Sequence, residues 1–480
     1  VSTTLYIVQR MAILSTLFVL MGLWGYLHGR ILLERRPRAG YLWMSTSLFL
    51  FTLLATLSKE NGVLLLPLAL LVEQIILKHQ LSVQPNIRWS ALFLWLPVAV
   101  LAAYLVSRGF NSSGFDQRPF SLSERMLTQP RILLDYLRWW FIPGTSSPGL
   151  LTQDFPISRG LLSPPGTLYA LILLLGAVVT SILVRNNYYY LSFAILFFLI
   201  GHSLEAGPIS LELYFEHRNY LPGVFLVLPI AVGLSRIRRQ SRVADLVGIA
   251  ILLGLALITY QRAVNWSDLT RLSFHWAEMH PDSQRAQRIA AQVAEKIGRP
   301  DLAIQILGNA LNRLPDSFPI KMHLLILNCQ YLKADEHELA DLIASAKHLP
   351  FNFKAFDLLQ SFVDLGPTDS CKGISRSHIL DFLEALKHNP NAIGRAGPQR
   401  QIHYFLGKLA LQNGDAATAA KEFRLSLNVY PDTEAGLLQT ALLATHQHYA
   451  EALEHLSLTE QLHPKSANRK SSLGSLNYEE

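Results

Sequence analysis

The chain has 480 residues, 50% hydrophobic and 16% charged, with a mean hydropathy of +0.24 and a net charge of +7. That composition excludes an ordinary soluble enzyme of this length, and two cysteines exclude a disulfide-framed secreted domain. The average hides a division: residues 1–262 carry 32 of the Asp, Glu, Lys and Arg, residues 263–480 carry the other 45, and every tryptophan lies at or before Trp276. The expected fold is all-α. A polytopic membrane domain covers 1–262, a helical repeat domain covers 263–464, and a polar, disordered tail covers 465–480.

Eight segments are apolar enough to span a bilayer: 11–28, 41–57, 62–78, 90–107, 167–184, 188–204, 221–236 and 244–260. A helical span needs roughly 17–25 residues, so the seventh is near the limit. The stretch 131–142, RILLDYLRWWFI, is too short and carries Asp135 and Arg138. With Trp139 and Trp140 at headgroup level it reads as an interfacial amphipathic helix within a long outer loop, 108–166.

Orientation follows from Lys and Arg in the short loops. Arg30, Arg35, Arg36 and Arg38 follow the first span, and Lys78 and Arg88 follow the third. Arg185 follows the fifth, and Arg236, Arg238, Arg239 and Arg242 follow the seventh. These loops alternate, and all are expected to be cytoplasmic. The basic balance therefore reports topology and not a nucleic-acid partner. This topology places Val1 and everything after residue 262 outside. With no signal peptide at the start, it calls for an odd number of upstream spans. Cys329 and Cys371 then lie in an oxidising compartment, free to pair or to pack separately.

The second half carries a repeat. Pro281-Asp282-Ser283 and Pro315-Asp316-Ser317 are 34 residues apart, and Pro398, Pro431 and Pro464 recur at steps of 33. The unit 400–433 places Gly407, Gly414-Asp415, Ala419, Phe423 and Pro431 at the spacing of a tetratricopeptide repeat (TPR). Small residues there let two antiparallel helices pack closely. The stretch 318–397 is helical in pattern but degenerate. Such arrays bind proteins or peptides in a concave groove, or serve as packing scaffolds.

Ionisable groups beside spans are costly and carry functional hypotheses. By topology Arg10, Lys59, Glu60, Glu205, Glu212, Glu216, His217 and Arg218 gather at one face. Lys59, Arg218, Arg10 and His217 are candidates to hold a lipid phosphate or pyrophosphate. Glu60 and Glu216 are supporting carboxylates. Taken singly, each also reads as structural: Arg10 and Arg218 as snorkelling helix ends, Lys59-Glu60 as a solvated turn, His217 as a partner for a carbonyl. The sequence contains no metal-ligand motif, phosphate-binding loop or dinucleotide fingerprint, so it identifies no metal site or cofactor.

The order of motifs resembles a known family. YIVQR and LSTLF precede a span; LSKEN leads into LLLPLALLVEQ; then come QPRILLDYLRWWFIPG, EHRNYLP, and NWSD before the repeats. This resembles bacterial multi-span TPR glycosyltransferases of the GT-C superfamily, themselves similar to the animal membrane-plus-TPR O-mannosyltransferases. The resemblance implies sugar transfer at the outer face of a bacterial inner membrane, from a polyprenyl-phosphate donor to an acceptor held by the repeats, with protein hydroxyls as one candidate. It also implies about three upstream spans and an Asp-bearing catalytic loop that this sequence does not contain. Two rivals stand beside it. One is an O-antigen ligase or polymerase of similar build; the other is a non-catalytic, membrane-anchored TPR scaffold.

Overall fold

The structure is a computed structural model. It describes residues 2–110, 115, 118–144, 150–152, 154–238, 243–332, 336–348, 356–365, 374–390, 392–393 and 395–473. Among these residues the regular structure is helical, with no strand. The chain divides into two compact units, Val1–Ser283 and Gln284–Glu480. The division lies after the 262 boundary read from composition, because the amphipathic Leu269–Met279 helix buries Leu272 and Trp276 within the first unit.

Among the described residues of the first unit, five helices are long and apolar enough to cross a membrane: Ile7–Leu33, Pro37–Ser58, Ile87–Gly109, Gly166–Val184 and Asp245–Trp266. The apolar window of Asp245–Trp266 buries none of its residues inside the protein. A surface so uniformly apolar is matched to lipid, not to water. The other three segments expected to span are shorter or interrupted. Residues 188–204 give the helix Tyr189–His202, and 221–236 begins as turns before Leu228–Arg238. Residues 62–78 are split into the 3₁₀ turn Glu60–Leu64, the helix Leu65–Leu71, a π turn Val72–Ile76 and a last 3₁₀ turn Leu77–His79. This third segment is the core of the unit: Leu64, Leu65, Leu68 and Ala69 are all fully buried.

Helices Arg10–Leu33 and Pro37–Ser58 pack along their length. Gly25 and Gly29 make that possible, since a Cβ there would lie 2.3 Å from Ser47 Oγ and 2.6 Å from Met44 Cγ. Arg30, read from the sequence as a loop charge, is instead wholly buried at the end of the first helix. Its Nε and Nη2 donate to Glu73 at 2.8 and 3.1 Å, and Nη1 donates to the Val83 carbonyl at 3.0 Å. Tyr26 donates to the same carboxylate at 2.7 Å. Arg239 and Arg242 lie outside the described residues.

The helix Leu122–Phe141 starts at a capping box in which Ser121 accepts from Glu124 N–H and Glu124 accepts from Ser121 N–H. It extends nine residues before the short interfacial segment read from the sequence. Its buried side chains include Arg125, Thr128, Gln129 and Tyr136 as well as Ile132.

The second unit contains helical hairpins. Gln284–Lys296 packs on Pro300–Arg313, Ala396–Gln412 on Ala416–Val429, and Thr433–Thr445 on Tyr449–Leu473. Their turns contain left-handed residues: Gly298 and Gly414 at φ +77°, and Gln447 at φ 67°. A left-handed residue closes a helix C-terminus by satisfying its last carbonyls. The last helix continues through Pro464 to Leu473, into the stretch read from composition as a disordered tail; 474–480 lie outside the described residues. Cys329 is disulfide-bonded, while Cys371 lies outside the described residues.

A Cβ on Gly407 would lie 2.6 Å from the Phe423 ring and 3.2 Å from the Ala419 carbonyl. Gly407→Val therefore overpacks this hairpin and is expected to destabilise the protein by about 1–3 kcal/mol, read as a lowered thermal unfolding transition. A buried polar chain links the same helices. Ser426 Oγ donates to the Arg400 carbonyl (2.9 Å) and accepts from Gln439 Nε2 (3.1 Å), and Gln439 Oε1 lies 2.9 Å from His455 Nε2. Burial, aided by the Arg424 charge, lowers the His455 imidazole to about 4. The unfolded chain then binds the proton first, so this stability is complete above pH 6.5 and is lost as pH falls towards 4. His455→Gln is expected to flatten the pH dependence of the unfolding temperature across that window; an unchanged slope would refute the assignment.

Candidate functional site

The site is built from two chain segments. The Pro37–Ser58 helix ends with Lys59 in an extended conformation, φ −160° and ψ 143°. The chain then turns tightly, with Gly62 N–H donating to the Lys59 carbonyl at 2.9 Å. Gly62 is required there, because a Cβ would lie 2.2 Å from the Ala55 carbonyl carbon. Asn61, buried in the turn, accepts from Ser15 Oγ at 3.3 Å, which ties the turn to the first long helix. This sequence of constraints fixes where Lys59 leaves the backbone.

The second segment is the irregular chain 203–223. Its shape is set by the Leu122–Phe141 helix. The wholly buried Arg125 donates to the carbonyls of Glu205, Gly207, Leu211 and Glu212. Gln129 donates to the Leu213 carbonyl at 3.1 Å. The Tyr136 hydroxyl donates to the Phe215 carbonyl at 2.8 Å and accepts from Phe215 N–H at 3.0 Å. Tyr214 donates to Asp135 at 2.7 Å. Buried backbone without regular secondary structure needs such partners for its polar groups, and one helix supplies several of them.

These two segments bring Lys59, Glu205, His217 and Arg218 together. Lys59 Nζ lies 2.7 Å from Glu205 Oε1, with both side chains almost fully buried. Arg218 stands over the Phe215 ring at 5.0 Å and donates through Nη1 to the Glu212 carbonyl. The His217 ring stacks on Phe215 at 5.0 Å. Behind them, His202 Nε2 lies 3.2 Å from Asn219 Oδ1. The short helix Ser2–Leu5 packs against Glu216–Asn219.

The electrostatics are uneven. Burial alone would raise the Glu205 carboxyl, but the Lys59 and Arg218 charges outweigh it and hold it below its usual 4.5. Burial, with help from Lys59 and Arg218, pushes the His217 imidazole well below 6.5, so it is neutral at pH 7. Within this cluster three buried atoms have no hydrogen-bond partner among the described residues: Glu205 Oε2, His217 Nδ1 and Arg218 Nη2. Buried polar atoms are normally paired, so three orphans in one cluster mark capacity for a ligand.

The other expected site residues are exposed or take other partners. Arg10 is exposed and donates to the Thr4 carbonyl at 3.3 Å. Glu60 is exposed, and the carboxylate beside Lys59 is Glu205. Glu216 is paired with Arg262. Glu205 was visible in the sequence as an acid directly after an apolar run, but nothing there matched it to Lys59. Arg125 carried no signal, because it precedes the 131–142 segment read as an amphipathic helix. Among the described residues, no group of three His, Cys, Asp or Glu is placed to hold a metal.

A largely apolar cavity of about 410 Å³ lies in the same unit, lined in part by Leu70, Ile75, Trp95, Leu105, Ile200 and Ser203. Its Leu105 edge lies beside Gly207, two residues from Glu205, where an added Cβ would be 3.7 Å from Leu105 Cδ2.

The molecule is thus an all-helical protein with apolar, membrane-span-like helices and a buried cationic cluster beside an apolar cavity. No protein-family model matches the chain, and no curated protein matches it.

Proposed function

We propose that the chain is a glycosyltransferase, or part of one, that transfers sugar from a polyprenyl-phosphate donor. The observation carrying this reading is the convergence of Lys59, His217 and Arg218, with unpaired buried atoms, next to an apolar cavity. The phosphate lies against Arg218 and Lys59, and the isoprenoid chain follows the apolar cavity. An acceptor hydroxyl attacks the anomeric carbon and gives its proton to a base. The bond from that carbon to the phosphate oxygen breaks, and polyprenyl phosphate departs with the electron pair. Arg218 and Lys59 stabilise the charge that develops on the leaving oxygen.

Topology and the second unit fit this reading. The short apolar helices 189–202 and 228–237 and the broken segment 62–78 complete a bundle of about eight spans, with the cluster at its outer face. The hairpins with left-handed turn residues form a TPR-like solenoid that holds a protein or peptide acceptor. The membrane is then a bacterial inner membrane, with the solenoid on its periplasmic side. The test is turnover of labelled polyprenyl-phosphate sugar by membranes containing the protein. Lys59→Ala is expected to abolish most of it; full turnover in Lys59→Ala would remove Lys59 from the site.

A further inference from the structure

We propose that the cluster recognises a glycosyl phosphate through both of its parts, with Glu205 as the residue that reads a sugar hydroxyl. The inference rests on the phosphate reading above and adds a specificity-determining residue to it.

A site shaped for a bare phosphate presents donors alone. This one presents donors together with a carboxylate. Arg218 Nη2 is an unsatisfied donor, and Glu205 Oε2 is an unsatisfied acceptor. Glu205 Oε1 is already taken by Lys59 at 2.7 Å, which fixes the carboxylate and leaves Oε2 as its available oxygen. Against an anion alone, that oxygen repels and weakens binding. Against a group that carries an anionic oxygen and a neighbouring hydroxyl, it accepts the hydroxyl proton in a charge-assisted hydrogen bond. A sugar joined to phosphate through its anomeric oxygen has hydroxyls within a few bonds of the phosphate, which matches the proximity of Glu205 and Arg218. A role as the base of the reaction fits less well, because the adjacent Lys59 and Arg218 keep the carboxylate ionised and weakly basic. Glu205 is therefore a binding and positioning residue.

The segment geometry supports a dedicated role for this carboxylate. Its own carbonyl is held by Arg125 Nη2, and the chain after it is held at Gly207 and Leu211 by the same guanidinium. Glu205 is thus fixed from both ends, through its backbone by Arg125 and through its side chain by Lys59. Pre-organisation of this kind lowers the ordering cost of binding.

The experiment is equilibrium binding to the purified full chain in lipid nanodiscs, with farnesyl phosphate, glucosyl farnesyl phosphate and glucose 1-phosphate as probes. The wild-type chain is expected to bind glucosyl farnesyl phosphate about tenfold more tightly than farnesyl phosphate, the worth of one hydrogen bond to a charged group. In Glu205→Ala that preference should shrink to about threefold or less. Farnesyl phosphate should bind the variant at least as tightly as wild type, because the repelling oxygen is gone and Lys59 is released. A variant that had merely lost structure would weaken for both lipids together.

Equal binding of the two lipids by the wild-type chain overturns the proposal, as does a preference that survives Glu205→Ala. If Glu205→Ala does not fold, Glu205→Gln keeps the shape, and the wild-type comparison stands without any variant. Failure to bind either lipid defeats the phosphate reading itself, whereas equal binding of both defeats only the role of Glu205. Glucose 1-phosphate distinguishes the source of the group: weaker binding than glucosyl farnesyl phosphate shows a lipid-borne sugar, as expected.

Discussion

Arg218→Ala is expected to lower turnover of a polyprenyl-phosphate sugar by roughly two to three orders of magnitude, the usual cost of removing one preorganised donor from a developing negative charge. Arg218 is 3% exposed, and its Nη1 is already used by the Glu212 carbonyl, so Nη2 is what it offers a ligand. Arg218→Lys keeps the charge but loses the planar fork that reaches both the carbonyl and a phosphate oxygen. It should recover only a small part of the activity. Because Arg218 also holds the 212–218 turn, each variant should be compared with wild type by size-exclusion profile and thermal unfolding. A fully folded Arg218→Ala with wild-type turnover would place the phosphate elsewhere.

Glu73→Ala should destabilise the first unit by about 3–5 kcal/mol, because it leaves the Arg30 charge buried without its carboxylate. Arg30 is 0% exposed, so no rearrangement of a surface side chain can rescue it. The Tyr26 hydroxyl loses its 2.7 Å acceptor in the same change. Glu73 sits in the π turn Val72–Ile76, where the widened helix presents it to Arg30 and Tyr26 at once. Replacing the whole triad, with Tyr26→Phe, Arg30→Met and Glu73→Met, removes both the charges and their desolvation cost. That triple variant should return most of the lost stability, whereas each single change should not. Thermal unfolding in detergent reads the difference. A stable Glu73→Ala would mean that water reaches Arg30.

The all-helical class was legible in the sequence because apolar runs and the repeat spacing are local patterns. Gly407 and Phe423 were read at their correct helix-packing positions for the same reason: the 16-residue spacing carries the geometry. The three weaker span segments were not legible in the same way. Run length says how apolar 62–78 is, but not that most of its leucines are buried in protein and that its backbone is broken by turns. Arg30 misled for a related reason. A basic residue at the end of an apolar run reads as a loop charge unless its partner is known, and Glu73 lies 43 residues away.

The site shows the same limit. Lys59, His217 and Arg218 were singled out because ionisable groups beside apolar segments are costly. Choosing their carboxylate from sequence neighbours gave Glu60 and Glu216, which the fold turns outward or pairs with Arg262. The partner in space is Glu205, brought to Lys59 across 146 positions by a chain segment that Arg125 shapes. No local spacing rule contains that contact.

The most direct test of the central claim is photo-crosslinking of the full chain in nanodiscs with a benzophenone-tagged polyprenyl phosphate, followed by peptide mapping. The account predicts adducts on the peptides around the 410 Å³ cavity, near Leu105 and Ile200, that are competed by untagged polyprenyl phosphate and lost in Lys59→Ala and Arg218→Ala. Labelling that is spread along the outer faces of the span-like helices and indifferent to both substitutions would contradict it.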